Sequence, residues 1–128
     1  MKFLVDTQAW LWFYLGDPLL SATARNHIAD PNNERFVSVA SIWEISIKIS
    51  IGKYALNAPY AQFMQQALAG FTLLPITTAH TERVSVLPFP PDHRDPFDRL
   101  IISQAIEEKI PVVSSDGDFA AYAIQVIW

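Results

Sequence analysis

The sequence of 128 residues contains no cysteine. This absence excludes disulfide bonds, thiolate-bound metals and cysteine nucleophiles, and it fits a reducing compartment. Histidine is scarce as well. His27, His80 and His93 lie far apart, without metal-ligand spacing, and we expect each on the surface or in a loop. Charged residues make up only 17% of the chain against 51% hydrophobic residues, which excludes intrinsic disorder.

Basic charge is also in short supply. Nine Lys and Arg stand against thirteen Asp and Glu, so a diffusely basic nucleic-acid-binding surface is not expected. The longest apolar-rich stretch, 36–51, is too short to span a bilayer and is interrupted by Glu44 and Lys48. The N-terminus imitates a secretory signal, but Asp6 lies inside its hydrophobic region. We therefore expect a cytoplasmic protein with no membrane association.

Short apolar runs alternate with helical segments along the chain, whose length suits a single domain, residues 1–128. Strands are predicted at 2–5, 36–39, 71–76, 111–114 and 124–127, and helices at 7–15, 22–29, 41–51, 59–69, 78–87, 95–109 and 119–122. Strands that alternate with helices form a parallel sheet covered on both faces. The predicted fold class is α/β, with a central parallel sheet of four to five short strands.

Four carboxylates fall close to strand ends and helix starts. Asp6 directly follows the first predicted strand, and Asp116 lies just beyond the fourth. Glu44 and Asp98 lie in the first turns of the predicted helices after the second strand and before the fourth. Ligands of open parallel sheets bind outside the carboxyl ends of the strands, so these side chains are expected to converge in one crevice. Clustered carboxylates repel one another and suit a hard cation, Mg²⁺ or Mn²⁺.

Each of these acids also has a purely structural interpretation. Ser41-x-x-Glu44 has the spacing of a capping box, Asp95-Pro96 is a typical helix start, and Asp116-Gly117 is common in turns. Asp6 could cap the first helix, although a carboxylate after a buried strand is costly unless it is paired or metal-bound. If the acids only cap helices, the chain is a non-catalytic interaction module, and this alternative stays open.

Four segments occur in an order typical of one known family. They are Val5-Asp6-Thr7, Ser41-Ile42-Trp43-Glu44, the stretch from His93 through Asp95-Pro96-Phe97-Asp98 to Ile101, and Ser114-Ser115-Asp116-Gly117-Asp118-Phe119. Over essentially its whole length the chain resembles PIN-domain proteins, and most of all the VapC toxins of bacterial and archaeal toxin–antitoxin pairs. The resemblance implies a three-layer α/β/α fold and a Mg²⁺-dependent ribonuclease, with Mn²⁺ as a substitute metal, that is held inactive by a cognate antitoxin.

The resemblance also implies roles for individual residues. The catalytic acids would be Asp6, Glu44, Asp98 and Asp116, and the metal ligands among them Asp6, Asp98 and Asp116. Thr7, Asp95 and Ser114 would support this site. Apart from the resemblance, Lys48, Arg94 and Arg99 are cations near the acids in the sequence and are candidates for RNA phosphate contacts, although Lys48 could instead pair with Glu44 and Arg99 could neutralise the acids. Asp118 matches less well, because the last acid of the family usually precedes Phe by three residues, as Asp116 does here.

The first predicted helix carries Trp10, Trp12, Phe13 and Tyr14. A platform for stacking nucleobases is one interpretation of these rings. One helix of a small domain cannot bury every face, so we expect instead that they fill the core and part of an oligomer surface. A homodimer and a bound antitoxin would cover such apolar area. A metal-dependent phosphatase is the alternative enzyme class, but a haloacid-dehalogenase type would need Asp at Gln8, and a receiver domain would need Asp after the third strand, where none stands.

Overall fold

The computed structural model describes residues 1–92 and 95–128. Within these ranges a parallel sheet is formed by β1 (Lys2–Val5), β2 (Glu34–Ser38), β3 (Thr72–Leu74), β4 (Val112–Val113) and β5 (Val126–Ile127). The strand order is β3-β2-β1-β4-β5, so β1 lies at the centre of the sheet. Because all pairs are parallel, the carboxyl ends of the strands lie along one edge.

The helices alternate with these strands, which confirms the predicted α/β class. They are α1 (Thr7–Leu15), α2 (Ala22–Ala29), α3 (Val39–Ser50), α4 (Tyr60–Ala67), α5 (Thr78–Val86) and α6 (Pro96–Glu108), with a short 3₁₀ helix at Gly117–Ala121. The first strand and the first two helices have the predicted bounds, while the ends of later elements differ from the prediction by at most two residues. No helix in the described ranges is long and apolar enough to cross a membrane.

The core has two parts, one on each face of the sheet. Phe3 and Val5 of β1 pack with residues of α1 to α4 on one face, and Leu4 packs with residues of α6 and with Leu87, which directly follows α5, on the other. Trp10 is fully buried and donates its indole N–H to the backbone oxygen of Ala67, 2.7 Å away, which ties α1 to α4. The predicted three-layer arrangement is therefore confirmed.

The start of α3 differs from the prediction. The helix begins at Val39 rather than Ser41, because the Ser38 hydroxyl caps it by accepting a hydrogen bond from the Ala40 N–H. The predicted capping box at Ser41 is therefore wrong: Ser41 is buried inside the helix and accepts a hydrogen bond from the Thr7 hydroxyl at 2.8 Å. Glu44 consequently lies in the second turn of α3 instead of the first.

His80 is the second departure from expectation. It is only 1% exposed, and it caps α5 by accepting a hydrogen bond from the Thr77 N–H at Nδ1. Its Nε2 lies 2.9 Å from Glu108 of α6. Gln104 of α6 is also buried, accepts a hydrogen bond from the Ser38 hydroxyl and donates one to the Pro75 carbonyl. These side chains form a polar network between β2, α5 and α6, so the expectation of a surface or loop position was wrong for His80.

Candidate active site

A cleft of about 240 Å³ opens at the carboxyl edge of the sheet. It is lined by Asp6, Thr7, Gln8, Glu44, Lys48, Asp95, Asp98, Ser115 and Asp116. The residues come from the β1–α1 junction, from α3, from the start of α6 and from the segment after β4. The structure thus brings together all four carboxylates that the sequence places at this edge, although they are up to 110 positions apart in the chain.

Three of the cleft acids cap the elements that follow them. Asp6 Oδ1 accepts a hydrogen bond from the Ala9 N–H at 2.8 Å, at the start of α1. Asp95 caps α6 through the N–H groups of Phe97 and Asp98, and Asp116 caps the 3₁₀ helix through the Asp118 N–H. Helix capping and a shared cleft therefore coexist, because the caps orient the carboxyl groups at the edge where the helices begin.

Burial and mutual repulsion raise the pKa of two carboxyl groups in the cleft. Asp6 has a pKa of about 6, chiefly because it is buried, although hydrogen bonds from the Ser114 hydroxyl and the Ala9 N–H oppose the rise. The pKa of Asp98 rises to about 7, first through burial and then through the negative charge of Asp95, with smaller contributions from the other cleft acids. A cation in the cleft would lower both pKa values.

Glu44 has one oxygen engaged and one oxygen free. Its Oε2 lies 3.5 Å from the Lys48 ammonium group, one helical turn further along α3. Its Oε1 is buried with no hydrogen-bond partner, and it is the one side-chain oxygen or nitrogen in that state within the described part of the chain. Leaving a buried carboxylate oxygen unpaired is costly, so this atom is available to a ligand or a water molecule.

Two of the predicted supporting residues connect the cleft to the sheet and helices behind it. Ser114 is 1% exposed, and its hydroxyl accepts a hydrogen bond from the Asp116 N–H at 3.0 Å while bonding to the Asp6 carboxylate. Thr7 lines the cleft and donates to Ser41, which joins the first turn of α1 to α3. These contacts hold Asp6, Asp116 and α3 in fixed relative positions.

The predicted RNA-contacting cations have different surroundings. Lys48 lines the cleft. Arg94 lies outside the described residues. Arg99 does not line the cleft; it is 5% exposed, donates to the backbone oxygens of Leu87 and Pro88, and packs over the Phe89 ring. The expectation of an RNA contact for Arg99 is therefore corrected: its guanidinium ties α6 to the loop after α5.

The sequence reasoning also missed residues of the cleft. Gln8 and Ser115 line it, and each lies next to a residue already selected, which is the signal that could have found them. Asp118, left uncertain by the sequence, is exposed, and the cleft-lining residues do not include it. Its described contact is the backbone hydrogen bond to Asp116.

The oxygen donors of the cleft suit a hard divalent cation. They are carboxylate, hydroxyl and amide oxygens, the kind that Mg²⁺ and Mn²⁺ prefer. A bound cation would give the unpartnered Glu44 oxygen a partner and would offset the repulsion between carboxylates that adds to the burial-raised pKa values of Asp6 and Asp98. No group of three or more His, Cys, Asp or Glu side chains within 1–92 and 95–128 is already arranged around a common metal position. The donor chemistry thus fits the ion, although the side chains are not pre-arranged for it.

The chain belongs to the PIN domain family, whose sequence profile matches residues 3–125. Its fold resembles that of VapBC2 from Rickettsia felis, solved with a promoter DNA fragment, with a TM-score of 0.71 and 16% identity over 98% of this chain and 97% of the other. FitAcB from Neisseria gonorrhoeae gives a TM-score of 0.69 at 16% identity, covering 97% and 95% of the two chains.

A third similar structure is VapC20 from Mycobacterium tuberculosis, described as a toxin that cleaves the sarcin–ricin loop. Its TM-score is 0.61 at 18% identity, and 93% of each chain is covered. No curated protein sequence matches the chain significantly.

Proposed function

We propose that this PIN-domain protein is a divalent-metal-dependent endoribonuclease and the toxin of a type II toxin–antitoxin pair. The observation that carries the proposal is the convergence of Asp6, Glu44, Asp98 and Asp116 from four separate segments on one cleft. One Glu44 oxygen there is buried without a partner, and two of the carboxyl groups have raised pKa values. Perturbed carboxyl groups gathered in a cleft are typical of catalytic sites.

The proposed chemistry is hydrolysis of an RNA phosphodiester bond. Asp6, Asp98 and Asp116 would hold Mg²⁺ or Mn²⁺, which when bound neutralises phosphate charge and makes water a stronger nucleophile. Glu44 Oε1 would accept a hydrogen bond from the attacking water and orient it. The water oxygen bonds to phosphorus and the bond to the 3′ oxygen breaks, so the products carry a 5′-phosphate and a 3′-hydroxyl. Asp95 would hold the start of α6, and with it Asp98, while Ser114 and Thr7 would keep Asp6 in place.

The primary test is cleavage of structured RNAs by the purified protein. We expect cleavage with Mg²⁺ or Mn²⁺, loss with EDTA and recovery when the metal is restored. Asp6→Asn should remove the activity while the protein stays folded, because Asn also caps helices. Asp30→Asn is the matched control, since Asp30 is an exposed acid whose described side-chain contact is a turn bond to the Asn32 N–H. Cleavage that survives EDTA, or equal loss in both variants, would contradict the proposal.

The role as a toxin rests on the fold neighbours. Two of them are described as VapBC2 and as a toxin–antitoxin complex from Klebsiella pneumoniae, and a third as a toxin that cleaves the sarcin–ricin loop. We propose that the chain acts in the cytoplasm as a homodimer and that a cognate antitoxin covers its exposed apolar side chains, such as Leu73 and Ile76. Induced expression in bacteria should arrest growth, Asp98→Asn should not, and light scattering should give the mass of a dimer.

A non-catalytic interaction module is the second candidate. The observation in its favour is that Asp6, Asp95 and Asp116 all cap helices, so each has a structural role without any metal. Calorimetric titration with Mn²⁺ separates the two candidates. A catalytic cleft should bind Mn²⁺ at a site that Asp98→Asn weakens, whereas a capping-only domain should show no binding that depends on Asp98.

A further inference from the structure

An aromatic pair, formed by the exposed Trp43 and the half-buried Phe97, joins the two helices that carry Glu44 and Asp98. Trp43 of α3 and Phe97 of α6 meet edge to face, with ring centroids 5.2 Å apart and planes at 70°. Trp43 directly precedes Glu44, and Phe97 directly precedes Asp98, so the ring contact joins α3 and α6 at the turns that carry these two cleft acids, although neither ring lines the cleft itself. Trp43 remains 59% exposed, whereas Trp10 is fully buried. The pair therefore offers a large, partly supported aromatic surface at the edge of the cleft.

The charge of the cleft makes such a surface useful. Its described lining contains five acids and a single cation, Lys48, which already pairs with Glu44. A polyanion gains little from phosphate contacts there before a metal is bound. Stacking between bases and aromatic rings supplies affinity that does not depend on charge, and it acts on unpaired bases that can be splayed out.

We propose that Trp43, supported edge-on by Phe97, stacks on an unpaired base of the RNA next to the phosphate in the cleft. This inference rests on the proposed ribonuclease function and assigns the base contact that the acids cannot supply. Trp43 is a substrate-binding residue in this role. The occupant is RNA rather than a protein partner because the rings lie on the same turns of α3 and α6 as two of the cleft acids, where the proposed function places the RNA backbone.

The first test measures RNA affinity in the inactive Asp98→Asn background, with fluorescein-labelled single-stranded RNA of mixed sequence and Mg²⁺ present. Trp43→Leu removes the ring but keeps an apolar side chain, and it should weaken binding roughly 5- to 140-fold. Trp43→Phe retains a ring and should lose less. The salt dependence should stay unchanged, because stacking releases no counterions. Leu19→Ala is the control, since Leu19 is 64% exposed and lies beyond the far end of α1.

The second test locates the base. Wild-type protein defines a cut site in RNA, and short RNAs spanning it then carry one abasic nucleotide at successive positions. One abasic position near the cut should weaken cleavage by the wild type. It should not weaken cleavage by Trp43→Leu any further, because that variant has already lost the stacking contact that the abasic nucleotide removes. If no position behaves in this way, or if Trp43→Leu binds RNA as tightly as its parent, the stacking proposal is wrong while the nuclease function stands.

Other outcomes separate the two proposals. If the wild type cleaves no RNA with any divalent metal, the proposed function fails and the stacking fails with it. If Trp43→Leu changes the oligomeric mass by light scattering and leaves RNA binding unchanged, Trp43 is a contact between copies, which also overturns the stacking. Thermal unfolding of each variant checks that the fold is kept, as expected for so exposed a side chain.

Discussion

Two groups of buried polar side chains lie on different parts of this fold, and they are satisfied to different degrees. In the polar network between β2, α5 and α6, His80 bonds to Thr77 and Glu108, and Gln104 bonds to Ser38 and Pro75. In the cleft, Glu44 has an unpartnered oxygen and Asp6 and Asp98 have raised pKa values. Both groups are polar, but among the described residues the unpartnered buried side-chain atom lies in the cleft and not in the network.

The difference separates two uses of buried polarity. A satisfied network fixes the positions of packed elements, here α5 against α6 and α6 against the end of β2. An unsatisfied group costs stability and persists where a ligand or reactant completes it. The comparison therefore predicts that changes in the cleft alter activity while sparing or improving stability, and that changes in the network do the reverse.

The largest expected effect is on catalysis. Loss of residues that merely support a metal ligand costs about 10- to 100-fold in other sites, so Asp98→Asn should lower RNA cleavage by more than about 100-fold. Gln104→Leu, which lies in the same helix but in the polar network, should keep metal-dependent cleavage close to the wild-type rate under conditions where it is folded. Initial rates against Mg²⁺ concentration measure both. Equal losses in the two variants would remove the distinction between the groups.

The next largest effect is expected on stability: replacing the Asp6 carboxylate should stabilise the metal-free protein. The folded-state pKa of Asp6, about 6, lies above the unfolded value of 3.8, so the folded state binds the proton more tightly. The metal-free protein should therefore lose stability as the pH rises from about 4 to about 7, and Asp98 adds to this loss in the same direction. At pH ~8, Asp6→Asn should raise the free energy of unfolding by up to about 3 kcal/mol.

Urea unfolding in EDTA at several pH values measures this gain. Asp30→Asn, the exposed control, should show no comparable rise. Mg²⁺ should stabilise the wild type more at high pH than at low pH, because the ionised carboxylates bind it. A metal-free wild type whose stability does not change between about pH 4 and 7 would contradict the electrostatic description of the cleft.

Much of the fold could be predicted from the sequence because its signals are local. The buried run before Asp6, the Asp6 cap and Gly16, which has a φ of +66° at the end of α1, act within a few residues. The sequence predicts the start of α3 at Ser41, two residues too late, because Ser38 and Ser41 are both competent caps. Their roles are decided by distant partners, Gln104 for Ser38 and Thr7 for Ser41.

The convergence of the four acids could be predicted because parallel topology brings strand ends to one edge. The environment of each cation could not be predicted in this way. Arg99 follows Asp98 directly, yet its side chain is buried against Leu87, Pro88 and Phe89, since adjacent helical positions face different directions. The burial of His80 depends on the packing of α5 against α6, which no local pattern around His80 reveals.

A smaller effect is expected from the polar network. Gln104→Leu removes the acceptor for the Ser38 hydroxyl and the donor to the Pro75 carbonyl, and it should destabilise the fold by about 2 kcal/mol. Urea unfolding with and without Mg²⁺ measures the loss, which should be the same in both conditions. Ser46→Ala is a milder comparison, since its hydroxyl bonds are partly exposed. If Mg²⁺ restored the stability lost in Gln104→Leu, the network and the cleft would be coupled, and the distinction between the two groups would be wrong.

The smallest effect is expected at Lys48, the cation among the described residues that line the cleft. Its 3.5 Å pair with Glu44 is partly exposed on the Lys48 side, so Lys48→Met should change stability by less than about 1 kcal/mol. If Lys48 also contacts RNA phosphate, the variant should bind RNA more weakly and lower the salt slope by about 1. Lys2→Met is the matched control, because Lys2 makes a 3.6 Å pair with Glu34 at the opposite edge of the sheet. The same change in salt slope for both variants would show that the effect follows net charge and not a contact in the cleft.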